Sequence, residues 1–202
     1  MGRYIAIIAI IALGVGFFAG LRVTKTAMVK TADTYVNDHG LFDYRLVSTV
    51  GYDEDDVAAF AELDGIRAAE GSFSADFLAQ TMSGDIVLRA HSITGTVNTL
   101  SLVSGRQPAQ ANECIVDARY YTESDIGTKI VLSAENEEDT LSLFRYAEYE
   151  IVGIANSVYY LNYERGSTSL GSGSVAAFIY IPYDGFDVDY YTDVSLLLAE
   201  SG

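Results

Sequence analysis

Residues 4–21 read YIAIIAIIALGVGFFAGL, an uncharged run of 18 residues that decides how the chain is organised. As an α-helix this run spans about 27 Å, close to the ~30 Å thickness of the hydrocarbon core of a bilayer. The alternative is a cleaved signal peptide, whose apolar part is usually only about 7–15 residues long and precedes a small-x-small cleavage site. Here LRVTKTAMVK follows at residues 21–30 and continues a helical pattern. We therefore interpret residues 4–21 as a transmembrane helix and residues 22–40 as a helical stalk.

Small residues recur at every fourth position of this run, at Ala12, Gly16 and Gly20. They share one helix face, and small residues at this spacing allow another membrane helix to approach closely. Glycine is also common in membrane helices in general. The pattern predicts a helix-packing face and is compatible with further spanning helices.

The charge distribution separates the two ends of the chain. Residues 1–30 carry +4 and no acidic side chain, whereas the rest of the chain carries −20, for a total of −16. An acidic surface of this kind repels nucleic acid and anionic lipid headgroups. We therefore expect the domain to bind neither.

The charges that flank the helix point to one orientation. Arg22, Lys25 and Lys30 follow the apolar run, and only Arg3 precedes it. By the positive-inside rule, this asymmetry places the following domain in the cytoplasm. The sequence starts abruptly, however, as if a basic leading segment were missing, so the opposite orientation stays open.

The first part of the domain predicts a strand, a helix and a hairpin. FDYRLVSTV at residues 42–50 is typical of a strand, and Asp53 is placed to cap a short helix. That helix is predicted to bury Val57, Phe60, Ala61 and Leu63. Residues 72–80 alternate between apolar and polar side chains, and the turn Ser83-Gly84-Asp85 joins them to a second strand at residues 86–93.

The later part of the chain predicts short strands separated by polar turns. The predicted strands are residues 114–116, 130–132, 149–154, 175–181 and 194–199. The order of elements predicts an α+β fold in which a small β-rich lobe interrupts an α/β lobe.

Signatures of the common catalytic and metal sites are missing from the sequence. It has no G-x-x-x-x-G-K-[ST] loop for ATP and no G-x-S-x-G elbow. His39 and His91 do not stand at metal-ligand spacing. Cys114 is the only cysteine, so neither an internal disulfide nor a thiolate metal site is possible. We expect a protein that is not an enzyme and that carries no cofactor or metal.

Tyrosine is concentrated late in the chain, with 11 of the 15 tyrosines between Tyr120 and Tyr191. Tyr159, Tyr160 and Tyr163 precede the flexible sequence GSTSLGSGS at residues 166–174. Tyrosines are common in binding surfaces, but they also fill half-exposed strands. These three residues are candidate partner contacts, with a packing role as the alternative.

Several segments together resemble the FtsX-like permease family of ABC transporters, with its MacB-type periplasmic core domain. They are IIALGVGFFAGL at residues 10–21, LVSGRQP at 102–108, ECIVD at 113–117, DIGTKI at 125–130, YEIVGI at 149–154 and IYIP at 179–182. No single segment is specific, but their order and spacing extend over nearly the whole chain.

The resemblance implies a porter-like α/β lobe at residues 41–101 and 175–202, with an inserted β-rich lobe at residues 102–174. It implies a domain outside the cytoplasm, contrary to the flanking charges, and a chain that is a piece of a longer permease with more spanning helices. It further implies a separate cytoplasmic ABC ATPase subunit and a second permease copy or homologue as partners. Motion of the helices, driven by that ATPase, would be coupled to export or release of a substrate.

A second hypothesis of a different kind is a membrane-tethered or secreted module that binds a ligand or partner through its tyrosine-rich surface. Further apolar segments of ~20 residues beyond residue 202 would favour the permease. A stop codon there would favour the binding module.

Overall fold

The structure is a computed structural model that describes residues 2–199. It divides into a helical unit that ends at Asp38 and a compact domain that begins at His39. The helices are α1 (Gly2–Asp38), α2 (Glu54–Ala61) and α3 (Glu138–Ser142), with short 3-10 helices at Glu123–Asp125 and Tyr183–Gly185. The strands are β1 (Tyr44–Tyr52), β2 (Ile66–Ser72), β3 (Ser74–Thr81), β4 (Gly84–Ser92), β5 (Leu100–Gly105), β6 (Glu113–Asp117), β7 (Lys129–Val131), β8 (Glu148–Ser157), β9 (Ala177–Ile181) and β10 (Tyr191–Leu198).

The first unit is one uninterrupted helix, α1, which has no buried residue. It includes the predicted transmembrane helix and most of the predicted stalk. By length and composition it is the one helix among residues 2–199 that is apolar enough to cross a membrane.

Strands β1, β10 and β2 form a small antiparallel sheet, in that order. Helix α2 packs against β2. Asp53 caps α2 as predicted, because its carboxylate accepts a hydrogen bond from the Asp56 backbone while the Asp56 side chain bonds back. The predicted buried face of α2 was wrong, since Val57 and Phe60 are only half-buried and Ala61 and Leu63 are exposed, the latter by 54%. The reason is that α2 is only two turns long and covers one edge of a three-stranded sheet.

The other seven strands form the main sheet, in the order β3-β4-β9-β6-β8-β5, with β7 also paired to β8. The predicted hairpin is present as β3 and β4, and β4 then pairs in parallel with β9. Both faces of the central strands are buried: Val116 and Ile179 belong to one apolar cluster, while Ile115 and Phe178 belong to another. The α+β class is confirmed. Strands from both predicted lobes share this sheet, and the lobe boundaries stay a prediction.

The GRQP segment forms a tight loop beside the main sheet. Gly105 lies opposite Gly153 and has a φ of +82°. A Cβ added at Gly105 would come within 2.3 Å of the Val152 carbonyl oxygen. Arg106 donates two hydrogen bonds to the buried Glu113 carboxylate, which also accepts from the backbone of Ala109. The Arg106 bonds and then the Ala109 bond lower the pKa of Glu113 to about 2. This carboxylate therefore stays charged and holds the loop closed.

A buried ion pair fixes the tyrosine-rich loop to the main sheet. The Arg165 guanidinium donates from Nε and Nη2 to the Asp117 carboxylate at 2.5 and 2.9 Å. The two side chains are 7% and 1% exposed. Since Asp117 is the last residue of β6, this pair holds the loop that carries Tyr159, Tyr160 and Tyr163 against the end of that strand.

We expect Asp117→Asn to lower the free energy of unfolding by about 3–5 kcal/mol, because Arg165 is left buried without its counter-charge. Urea unfolding of the chain in detergent micelles measures the change. The control is Glu148→Gln, which breaks the Lys129–Glu148 pair, whose side chains are 51% and 50% exposed. That variant should lose only about 0–1 kcal/mol. Equal losses of unfolding free energy in the two variants would contradict the stabilising role of the buried Asp117–Arg165 pair.

Candidate functional site

A polar cleft of about 520 Å³ opens where the small sheet meets the main sheet. Side chains from β1, β3 and β4, from α3 and its N-cap, and from the loop after β8 surround it. The lining residues are Arg45, Ser74, Ala75, Asp76, Arg89, His91, Glu137, Thr140, Tyr159, Thr168, Ser169 and Leu170. We refer to this site as the polar cleft.

Two arginine–aspartate pairs flank the polar cleft. Asp76 and Arg89 stand directly opposite each other on β3 and β4 and form two hydrogen bonds, of 2.5 and 2.7 Å. Arg45 on β1 reaches Asp193 on β10 through two hydrogen bonds of 3.1 Å. Asp193 also accepts a bond from the Ser72 hydroxyl at 2.7 Å. Each guanidinium is therefore neutralised by a carboxylate held in the sheet.

His91 forms the buried floor of the polar cleft. Its Nε2 lies 2.6 Å from the Tyr160 hydroxyl, and its ring stacks on Tyr180 at 5.1 Å between centroids. Burial lowers the pKa of His91 to about 3; the charge of Asp193 opposes this shift, and Arg89 adds to it. The imidazole is thus neutral at physiological pH and serves as a hydrogen-bonding partner of Tyr160.

Several polar groups on the walls of the polar cleft have no hydrogen-bond partner in the described part of the chain. Among residues 2–199, no hydrogen bond joins the Tyr159 hydroxyl, the Thr140 hydroxyl or the Glu137 carboxylate to another group. None of these atoms is sealed from solvent, since no buried side-chain nitrogen or oxygen in the described residues lacks a partner. They are available to a ligand.

The three candidate tyrosines occupy three different environments. Tyr159 lines the polar cleft and contacts Tyr160 at 5.0 Å between ring centroids. Tyr160 stacks on Phe178 at 4.8 Å, within an apolar cluster of the main sheet. Tyr163 lies apart from both, 77% exposed, with the Arg119 guanidinium 3.4 Å from its ring centroid. Their role as partner contacts stays a prediction.

The Gly/Ser segment after these tyrosines folds back on itself. Ser167 and Ser174 form an antiparallel bridge, and Arg89 donates to the Ser167 carbonyl at 3.1 Å. The segment predicted as a flexible loop therefore forms one wall of the polar cleft, with Thr168, Ser169 and Leu170.

The predicted small residues lie on one face of α1, at the predicted spacing. Ala12, Gly16 and Gly20 are all exposed, and an added Cβ at either glycine would meet nothing within 4 Å. The face is therefore open to a partner helix, and the packing itself stays a prediction.

The described residues contain no cluster of side chains suited to a metal ion. Cys114 is buried in the main sheet, and burial raises the pKa of its thiol, so the sulfur is unreactive.

Sequence reasoning did not find the polar cleft. The Asp76–Arg89 pair could have been predicted from the sequence, because the turn at Ser83-Gly84 fixes the register of the hairpin and places these two residues opposite each other. Arg45 and Asp193 are 148 residues apart, and nothing local in the sequence pairs them.

Comparison with known proteins gives a likeness in fold. The sequence matches no protein-family model and no curated protein. The structure is similar to the extracellular domain of the noncanonic ABC-type transporter YknZ from Gram-positive bacteria, with a TM-score of 0.50 and 16% identity over 77% of this chain and 76% of that one. It is also similar to the periplasmic region of MacB from Actinobacillus actinomycetemcomitans, with a TM-score of 0.45 and 10% identity over 78% of this chain and 68% of that one.

The chain therefore has the fold of the extracellular domain of an ABC-type transporter. The predicted resemblance to an extracytoplasmic domain of an ABC-type transporter is confirmed at the level of the fold. The predicted order, an apolar helix followed by a domain of this extracellular type, is confirmed as well.

We expect the His91 ring to stay neutral from pH 8 down to about pH 4.5, since burial disfavours its charged form. Two-dimensional NMR of the imidazole resonances measures this, and the urea-unfolded chain, in which His91 should titrate near 6.5, is the control. Because the folded pKa is the lower one, stability should fall as the pH drops from 6.5 towards 3. A folded-state midpoint between about 6 and 7 would contradict the assignment.

Proposed function

We propose that this chain is the membrane-anchored, extracytoplasmic part of an FtsX-like, MacB-type ABC transporter permease subunit. The observation that carries the proposal is the combination of one apolar helix, α1, with a following domain that shares the fold of an ABC transporter's extracellular domain. The six segments of family-like sequence support it independently of the fold.

The proposed role is mechanical. A separate cytoplasmic ATPase subunit supplies the energy, and the spanning helices of the permease, with a second copy or homologue, carry the motion outward. An α-helix of 37 residues is about 56 Å long, well beyond the ~30 Å hydrocarbon core. Neither of the two prolines of the chain, Pro108 and Pro182, lies in α1, so the helix has no proline kink along this length.

This role requires no catalytic side chain in the chain itself. We expect no hydrolysis of ATP by the purified chain, since it has no phosphate-binding loop. The coupling of helix motion to export or release of a substrate is part of the proposal.

Topology gives the direct test, because the proposal opposes the flanking charges. We expect Met82→Cys, in a Cys114→Ser background, to react with a membrane-impermeant maleimide in intact cells. Met82 is fully exposed at the turn between β3 and β4, so access to the reagent depends only on the side of the membrane.

Arg3→Cys in the same background is the matched control and should react only after lysis. The reverse pattern, with Met82→Cys protected and Arg3→Cys labelled, would overturn the proposal. Labelling of Met82→Cys in a released protein that has lost α1, and with it the Arg3→Cys site, would favour the secreted alternative.

The second candidate function is a membrane-tethered or secreted binding module. The exposed Tyr163 ring and the open polar groups of the polar cleft are the observations that support it. A permease domain that recognises its substrate or partner would use the same surfaces, so the two functions differ mainly in what lies beyond residue 202.

We propose that Tyr159 and Tyr163 contact a partner, while Tyr160 acts through packing. Tyr163→Ser should leave the thermal midpoint of the domain unchanged, because its side chain is mostly exposed. It should weaken transport or resistance several-fold in the complete permease. Tyr44→Ser, at another exposed tyrosine on β1, is the matched control. Full activity of a folded Tyr163→Ser variant would show that the Tyr163 ring does not contribute to partner binding.

A further inference from the structure

We propose that the polar cleft is a binding site for a neutral, polyhydroxylated ligand, that is, a saccharide. The inference goes beyond the proposed transport role and does not depend on it. It rests on the size of the polar cleft, its charge balance and its open hydrogen-bonding groups.

The size of the polar cleft and its polar lining exclude a mainly apolar ligand. A volume of about 520 Å³ lies within the ~300–1,000 Å³ typical of small-molecule sites. Such sites are usually lined mainly by apolar side chains, but here Ala75 and Leu170 are the only aliphatic members of the lining. The ligand must therefore offer polar groups in most directions.

The charge balance disfavours an anion. Arg45 and Arg89 are each bound by a carboxylate, and Glu137 adds a negative charge without a partner. A phosphate or carboxylate would meet two acidic side chains, Asp76 and Glu137, and two arginines that are each already paired with a carboxylate. The acidic character of the whole domain repels an anion further.

The open groups suit hydroxyls, which donate and accept at once. Arg45 uses Nε and Nη2 for the Asp193 carboxylate, so its Nη1 group remains as a donor. Glu137 offers acceptors, and the hydroxyls of Tyr159 and Thr140 offer both functions. Donors and acceptors side by side match the neighbouring hydroxyl groups of a sugar ring.

The aromatic wall is held in place before any ligand arrives. The Tyr159 ring contacts Phe42 at 5.8 Å and Tyr160 at 5.0 Å between centroids, and the Arg45 guanidinium lies 5.5 Å from its centroid. A side chain fixed in this way loses little entropy on binding. The Tyr159 hydroxyl has no hydrogen-bond partner among the described residues, so it can bond to the ligand without rearrangement of the ring.

The test is calorimetric titration of the full chain in lipid nanodiscs, which avoids detergents with sugar headgroups. The probes are maltotriose and chitotriose, with inorganic phosphate and trialanine as the anionic and zwitterionic comparisons. We expect at least one saccharide to bind with a Kd between about 10 μM and 1 mM, and neither comparison compound to bind.

Two conservative variants locate the binding. Tyr159→Phe keeps the ring and Thr140→Val keeps the shape, and each should weaken saccharide binding about 3–10-fold through one lost hydrogen bond. Tyr44→Phe, at an exposed tyrosine outside the lining of the polar cleft, is the matched control and should bind as the unchanged chain does.

Three results would each overturn the proposal. The first is no saccharide binding up to about 10 mM. The second is binding that both cleft variants leave unchanged. The third is binding of phosphate or trialanine that Tyr159→Phe weakens. These results are independent of the labelling test of membrane topology. Failure of the saccharide proposal would not contradict the transport role, and failure of the transport role would not contradict saccharide binding.

Discussion

The whole domain depends on the pairing of its last two strands. β9 lies between β4 and β6 in the main sheet, and β10 lies between β1 and β2 in the small sheet. Each of them satisfies backbone hydrogen bonds on two neighbours, so without them both sheets would present unpaired inner edges. Some contacts of β10 join residues 121 and 148 positions apart. Since such distant segments must meet before either sheet is complete, the domain is expected to form as one cooperative unit.

The same constraint creates the polar cleft. Only Phe73 separates β2 from β3, so the chain passes from the small sheet to the main sheet at this single buried residue. The backbone groups beside the crossing are bonded by side chains: Ser92 accepts from the Phe73 N–H, and Thr192 accepts from the Ser74 N–H. Polar side chains therefore collect where the sheets meet, and Asp193 on β10 places a carboxylate among them. The polar cleft is a consequence of how the two sheets are joined.

Local signals predicted the parts of the fold that depend on neighbours in sequence. The Asp53 cap and the β3–β4 hairpin are both confirmed, because a cap and a tight turn are set within a few residues. The strand β2, IRAAEGS, was missed since it has one β-branched residue and owes its structure to pairing with β10. The Asp117–Arg165 pair and the floor of the polar cleft escaped prediction for the same reason, as their partners meet only in the folded domain. The order of the predicted elements indicated the α+β class, and the resemblance of short segments to a family indicated the transporter-type fold within that class.

The arrangement of charged groups bears on how the domain would work in a transporter. Arg106, Arg165, Arg89 and Arg45 each hold a carboxylate in two hydrogen bonds, which fixes loops and strand ends at defined positions. Paired groups of this kind resist small displacements better than apolar contacts do, because both distance and direction are specified. If the proposed mechanical role holds, we expect a domain with these fixed pairs to move as one body when force is applied at one point. The open hydrogen-bonding groups then lie on a rigid frame, where a ligand could be held or released by motion of the whole domain without distortion of the site.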